Sequence, residues 1–155
     1  MAQSFFRRSF LAVAGLAAAT FFVAPSAEAA ETVEVTIEAT DQMSFSMKEI
    51  EVPAGATVKL TLEHVGKMAA TAMGHNWVLL AKDMPKEKFA KVAMTAKKDD
   101  YIPKKLSKKV IAHTKLLGGG ESDTITFEAP EKGSYTFICS FPGHYAMMNG
   151  TFVVK

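Results

Sequence analysis

Thr124-Ile125-Thr126-Phe127-Glu128-Ala129-Pro130-Glu131-Lys132-Gly133-Ser134-Tyr135-Thr136-Phe137-Ile138-Cys139 is the stretch that decides the fold class. Ile125, Phe127 and Ala129 alternate with Thr124, Thr126 and Glu128, the period of a strand with one wet face. Pro130 to Gly133 then carries turn residues. Tyr135–Cys139 continues as a second strand. Upstream, Val33, Val35 and Ile37 alternate with Glu34, Thr36 and Glu38, and Val58, Leu60 and Leu62 alternate with Lys59, Thr61 and Glu63. Met43 to Val52 is a broken extended stretch that ends at the turn Pro53-Ala54-Gly55. Asn76–Ala81 is a more continuous apolar run, as expected of a central strand covered on both faces. Thr151–Val154 closes the chain. Many short strands separated by Gly and Pro turns predict an all-β sandwich or barrel. The sequence contains no internal repeat.

Composition agrees with that class and excludes others. The chain has 155 residues, 48% hydrophobic and 22% charged, which fits one globular domain and not a disordered segment. The chain carries eleven Phe and one Trp, and the Trp and six of the Phe fall after residue 29, enough for a compact core. A net charge of +2 is too small for nucleic-acid binding to carry affinity. The single Cys excludes an intrachain disulfide, a Cys-x-x-Cys redox pair and a cysteine-rich zinc site.

Residues 1–29 read as a cleaved signal peptide. Arg7-Arg8 precede an apolar run from Phe10 to Val23, which is shorter than the ~20 residues of a spanning helix. Ala27-Glu28-Ala29 places small residues at the cleavage positions, with the cut before Ala30. Phe6-Arg7-Arg8-Ser9-Phe10-Leu11 resembles a twin-arginine signal with Phe6 in place of Ser or Thr, so twin-arginine and Sec export both stand open. The mature chain, 30–155, is a single domain with 16 basic and 15 acidic residues and no stable membrane insertion is expected of it.

One segment departs from the strand pattern. After Pro85, a residue suited to a helix start, Phe89, Val92, Ala93 and Ala96 fall at helical spacing. Lys82 to Lys109 holds ten Lys against Asp83, Glu87, Asp99 and Asp100. The spacing predicts a helical, lysine-rich flap over 83–108, which serves either as a solvated face or as a basic docking surface.

The chemistry is concentrated near the C-terminus. Cys139-Ser140-Phe141-Pro142-Gly143-His144-Tyr145-Ala146-Met147-Met148 joins two predicted strands, and Pro142-Gly143 can turn Cys139 and His144 toward one point. Met73-Gly74-His75-Asn76-Trp77 brings a second imidazole. One thiolate, two imidazoles and a thioether are poor ligands for magnesium or calcium, which prefer oxygen. Structural zinc prefers a closed tetrahedron without thioether. Two His and one Cys with a weak axial donor suit copper that cycles between two oxidation states. An exported free thiol would be an oxidation hazard unless ligated or buried.

These residues carry a family resemblance. Met73-Gly74-His75-Asn76-Trp77-Val78, Val110-Ile111-Ala112-His113-Thr114-Lys115-Leu116 and the Cys139–His144 loop with Met148 are similar to segments of the azurin family of bacterial cupredoxins, as is Asp41-Gln42-Met43. The resemblance implies a Greek-key β-sandwich. It implies one copper per chain, with His75, Cys139 and His144 as strong ligands, Met148 as the weak axial ligand and the Gly74 carbonyl opposite. Met147 becomes the adjacent decoy. Asn76 corresponds to a residue that ties the two ligand segments together, His64 to a non-ligand histidine near the site, and His113 to a surface histidine. Two departures stand out. The family's usual disulfide is missing, and Tyr145 occupies a position that is usually small.

The expected function is a periplasmic type 1 copper protein, not an enzyme, that carries single electrons through His144. Met43, Met73, Phe141, Pro142, Tyr145 and Ala146 are candidates for an apolar docking patch. The expected partners are transient redox proteins such as c-type cytochromes or copper or haem reductases, met by a monomer. The alternative is a periplasmic copper chaperone or storage protein, although no Met-x-x-Met cluster is present. A copper oxidase or nitrite-reductase site is disfavoured by only four His and no His-x-His pair.

Overall fold

The computed structural model describes residues 31–155. The expected signal peptide, 1–29, and its expected cleavage site lie outside the described residues.

Among the described residues, nine strands form two sheets. The first has the order β2 (Ser44–Phe45), β1 (Thr32–Thr40), β4 (Thr57–His64), β7 (Ser122–Glu128). The second has the order β3 (Glu49–Val52), β9 (Asn149–Val154), β8 (Gly133–Ile138), β5 (Val78–Leu80), β6 (Val110–His113). Both sheets are mixed. β1 runs parallel to β4, from Thr32 opposite Thr57 to Ala39 opposite His64, and β3 runs parallel to β9. The other pairings are antiparallel. The two strands of the deciding stretch, β7 and β8, lie in different sheets, so the turn at Pro130–Gly133 carries the chain across the sandwich. The expected Greek-key β-sandwich is the observed architecture.

Period-two alternation explains the core. In β4 the residues Val58, Leu60, Leu62 and His64 are buried, while Lys59 between them is exposed. Ile37, Val58, Leu60 and Leu62 meet Leu79, Phe137 and Phe152 from the facing sheet, and Trp77 just before β5. Trp77 lies 5.6 Å from Phe137 and 6.2 Å from Phe152 between ring centroids. All three residues of β5 are buried because both faces of this interior strand are covered. Leu79 packs between the sheets, whereas Val78 and Leu80 pack into a second cluster with Phe89 and Ala93.

The lysine-rich flap covers that second cluster. A short helix α1 (Ala70–Met73) precedes β5, and α2 (Lys86–Ala93) forms the predicted helix. Pro85 is its N-cap, with extended backbone. α2 ends before Ala96, where the Thr95 hydroxyl donates to the Val92 carbonyl at 2.8 Å and the chain turns. Beyond α2, the flap predicted over 83–108 is helical only in two 3-10 turns, Lys97–Asp99 and Lys104–Lys109. Among the described residues, no helix is long and apolar enough to cross a membrane.

Candidate metal centre

The segment before β5 and the loop between β8 and β9 meet at the site. The alternation Tyr135, Phe137 continues past β8, so Cys139 faces the core and is fully buried. His75 precedes β5 and pairs by a bridge with Leu117, its N–H donating to the Leu117 carbonyl at 3.0 Å. The loop from Cys139 closes on itself before β9. The Cys139 N–H donates to the Met148 carbonyl at 2.9 Å, and the Met148 N–H to the His144 carbonyl at 2.7 Å. Gly143 has φ 83°, the left-handed backbone that lets the Pro142-Gly143 bend swing His144 inward. Gly74 is needed for a different reason. Its φ is ordinary, but a Cβ there would collide with the Ala70 carbonyl and crowd Leu116.

The arrangement brings His75, Cys139 and His144 together, with one ligand atom of each within 4.8 Å of the others. Cys139 Sγ lies 3.8 Å from His75 Nδ1, 3.6 Å from His144 Nδ1 and 3.8 Å from the Gly74 carbonyl. A first-row ion about 2.0 Å from nitrogen and about 2.3 Å from sulfur separates those donors by about 3.5 Å if tetrahedral and about 3.7 Å if trigonal. The observed 3.6 and 3.8 Å straddle the trigonal figure. Met148 is fully buried in the same cluster as Cys139, whereas Met147 is 58% exposed. Of two adjacent thioethers, only Met148 is placed inside.

Burial sets the protonation of the donors. Desolvation holds His75 down to about 4, aided by repulsion from His64 and His144. Burial, then His64, holds His144 to about 4. Both imidazoles are therefore neutral at pH 7, with a lone pair to give. The His75 Nε2–H donates to the Thr40 carbonyl at 2.9 Å, which turns Nδ1 toward the sulfur. Burial pushes the Cys139 thiol up to about 12, against the pull of the Asn76 and Phe141 backbone N–H groups. Those two N–H groups are ready to receive a thiolate once a cation replaces the proton.

A polar frame holds the donors in place. Asn76 is fully buried, and its Oδ1 accepts the Ser140 N–H at 2.8 Å. Asn76 Nδ2 donates to Ser140 Oγ at 2.9 Å and to the Asp100 carbonyl at 3.1 Å. It thus ties the residue after His75 to the residue after Cys139. His64, 1% exposed, packs its ring edge-on to His75 at 4.5 Å. Its Nδ1 faces the Leu117 carbonyl at 3.3 Å and its Nε2 faces Asp41 at 3.1 Å. The Lys67 N–H and His64 hold the Asp41 carboxyl below the usual carboxylate range. His113 is exposed on β6. Sequence reasoning missed Asp41 as the partner of His64, and also Leu117, Asp100 and Tyr101 around the site.

The family described as copper binding proteins, plastocyanin/azurin family, matches residues 31–155. The chain belongs to that family. An azurin of Achromobacter denitrificans is 47% identical over 123 residues, covering 76% of this chain and 81% of that protein. The azurin Az-iso2 of the methylotroph Methylomonas sp. strain J superposes with a TM-score of 0.70 at 34% identity, covering 79% of this chain and 97% of that one. Auracyanin A, a "blue" copper protein of Chloroflexus aurantiacus, superposes with a TM-score of 0.68 at 30% identity, covering 80% and 99%. Membership identifies copper as the metal that this potential single site is built to take.

Proposed function

We propose that this chain is a periplasmic type 1, or blue, copper protein that shuttles single electrons between redox partners. His75, Cys139 and His144 would hold the metal, with the Met148 thioether and the Gly74 carbonyl as further, weaker donors. The observation that carries this reading is the buried set of two neutral imidazoles and one thiol at trigonal separations. When bound, copper supplies a one-electron couple that one geometry can serve in both oxidation states.

The chain's own residues keep that geometry fixed. Thr40 holds the His75 ring, Met148 and Asn76 hold the backbone on either side of the Cys139 sulfur, and the strands are packed behind them. Little needs to move when the charge at the site changes by one. His144 differs from His75. Among the described residues its Nε2 has no hydrogen-bond partner and is not a buried unpaired atom, so it keeps some contact with solvent although the residue is only 4% exposed. Phe141 packs on its ring at 4.6 Å, Pro142 and Tyr145 beside it are half-buried, and Ala146 is exposed. A small apolar edge of this kind suits brief docking with redox proteins such as c-type cytochromes or copper or haem reductases. The chain would act as a monomeric carrier and not as an enzyme. Export to the periplasm is supported by Arg7-Arg8, the apolar run and the small residues before Ala30.

Burial of the donors counts against the chaperone or storage reading, because handing over a metal needs ligands that a recipient can reach. A redox titration of the copper-loaded chain separates the two. The carrier takes and returns one electron per chain with its copper content unchanged over many cycles. Loss of copper to a Cu(I) chelator on each reduction would establish the chaperone reading instead.

A further inference from the structure

The sequence leaves the lysine-rich flap without a task in the site, yet the flap touches it twice. Between the two 3-10 turns the chain makes a corner at Asp100 and Tyr101. Both residues have left-handed backbone, with φ 51° and 61°, and neither is glycine. Ordinary L-residues avoid this region, and two in a row persist only where the surroundings fix them. The Tyr101 N–H donates to the Ala96 carbonyl at 3.0 Å and the Ile102 N–H to the Asp99 carbonyl at 2.8 Å. The Tyr101 side chain, 6% exposed, is anchored in the cluster of Val78, Leu80, Phe89 and Ile138.

Each corner residue reaches the metal loop by a different route. The Asp100 carbonyl accepts the Asn76 Nδ2–H at 3.1 Å, and Asn76 Oδ1 accepts the Ser140 N–H beside Cys139. The Tyr101 ring meets Phe141 edge-on at 5.1 Å and 68°, and Phe141 lies against His144 at 4.6 Å. A left-handed Asp100 aims its carbonyl at Asn76, and a left-handed Tyr101 sends its ring back under Phe141. An extended or helical backbone at these two positions would re-aim both groups.

We propose that Asp100 and Tyr101 are positioning residues: the corner of the flap is a strut that fixes the Cys139–His144 loop through Asn76 and Phe141. The strut acts on the protein with or without metal. Only its effect on the copper spectrum rests on the function proposed above.

The test is amide hydrogen exchange of the metal-free chain, followed residue by residue by NMR. Tyr101→Ala should speed exchange of the Ser140 amide by about tenfold or more, while amides of β4 and β7 keep their rates, because a local opening costs less than the global one. Asp100→Val, which disfavours the left-handed backbone, should do the same. Tyr101→Phe keeps the ring, and Asp100→Gly keeps the backbone and the carbonyl, so both should leave Ser140 protected. With copper loaded, the two disrupting variants should shift the visible band and release metal to a chelator several-fold faster. If Tyr101→Ala does not fold, Asp100→Val against Asp100→Gly makes the same comparison without removing a core side chain. Unchanged Ser140 exchange in Asp100→Val, or a uniform acceleration of all core amides, overturns the strut. Selective Ser140 exchange in a chain that fails to turn blue with copper would uphold the strut and remove the type 1 reading instead.

Discussion

Loading the metal-free chain with copper should release one proton per chain between about pH 6 and about pH 8, because binding requires a deprotonated thiol and neutral imidazoles. The number follows from the burial of the three donors. Cys139 stands at about 12, so it carries its proton throughout that range. His75 and His144 stand at about 4, so neither has a proton to lose. Ionising the thiol at pH 7 costs about 7 kcal/mol, roughly five pH units at 1.36 kcal/mol each, and the metal–thiolate bond must offset it. Apparent copper affinity should therefore rise about tenfold per pH unit. As the pH falls through about 4 the two imidazoles protonate, and the release should climb towards three.

The same groups shape the stability of the metal-free fold. Both histidines are depressed from 6.5, so their contribution is present above that value and is lost as pH falls through about 4. The thiol is raised from 9.0, so its contribution is present below that value and is lost as pH rises toward about 12. An indicator dye in weak buffer, with one equivalent of copper added, counts the protons. Cys139→Ser should release none in the neutral range. No release from the native chain, or one proton from the Ser variant, would refute the assignment of the thiol.

Other consequences can be checked separately. Met148→Leu should keep copper and raise the reduction potential, because the axial donor is weak and favours Cu(II), whereas Met147→Leu, on an exposed side chain, should change little. Gln at Lys97, Lys98 and Lys105, which are exposed and make no ion pair among the described residues, should slow electron exchange with an acidic partner at low salt. Stopped-flow rates should converge as salt screens charge beyond a Debye length of ~8 Å at physiological strength. Ala146→Asp should slow exchange at every salt concentration, since it places a charge on the apolar edge beside His144. Phe137→Ala removes a fully buried ring packed on Phe45 and Trp77, and should cost about 3–5 kcal/mol, a fall of about 10–20 °C in the melting temperature of the metal-free chain.

Much of the site was legible because strand periodicity extends past the strand ends. The alternation that buries Val58, Leu60 and Leu62 runs on to His64, and the one that buries Tyr135 and Phe137 runs on to Cys139. The continuous apolar run at Asn76–Ala81 signalled a strand covered on both faces, and the flap and the facing sheet cover β5 there. Pairings between distant segments were not legible. Nothing local in β1 announces that it lies parallel to β4, and Asp41 meets His64 from 23 residues away. The choice between Met147 and Met148 could not come from composition, since both are methionine, and it rested on family resemblance until burial separated them. α1 is four residues long, too short to show a helical period. The left-handed pair Asp100-Tyr101 carries no glycine to mark it, because tertiary contacts and not residue preference hold it there.

The central claim is that the buried Cys139 sulfur, beside His75 and His144, would hold copper. The visible spectrum of the copper-loaded chain, beside that of Cys139→Ser, tests it most directly. The native chain should show a strong blue thiolate-to-copper band that bleaches on one-electron reduction and returns on reoxidation, and the Ser variant should remain folded without the band. A colourless native chain, or a Ser variant that is equally blue, would contradict the account.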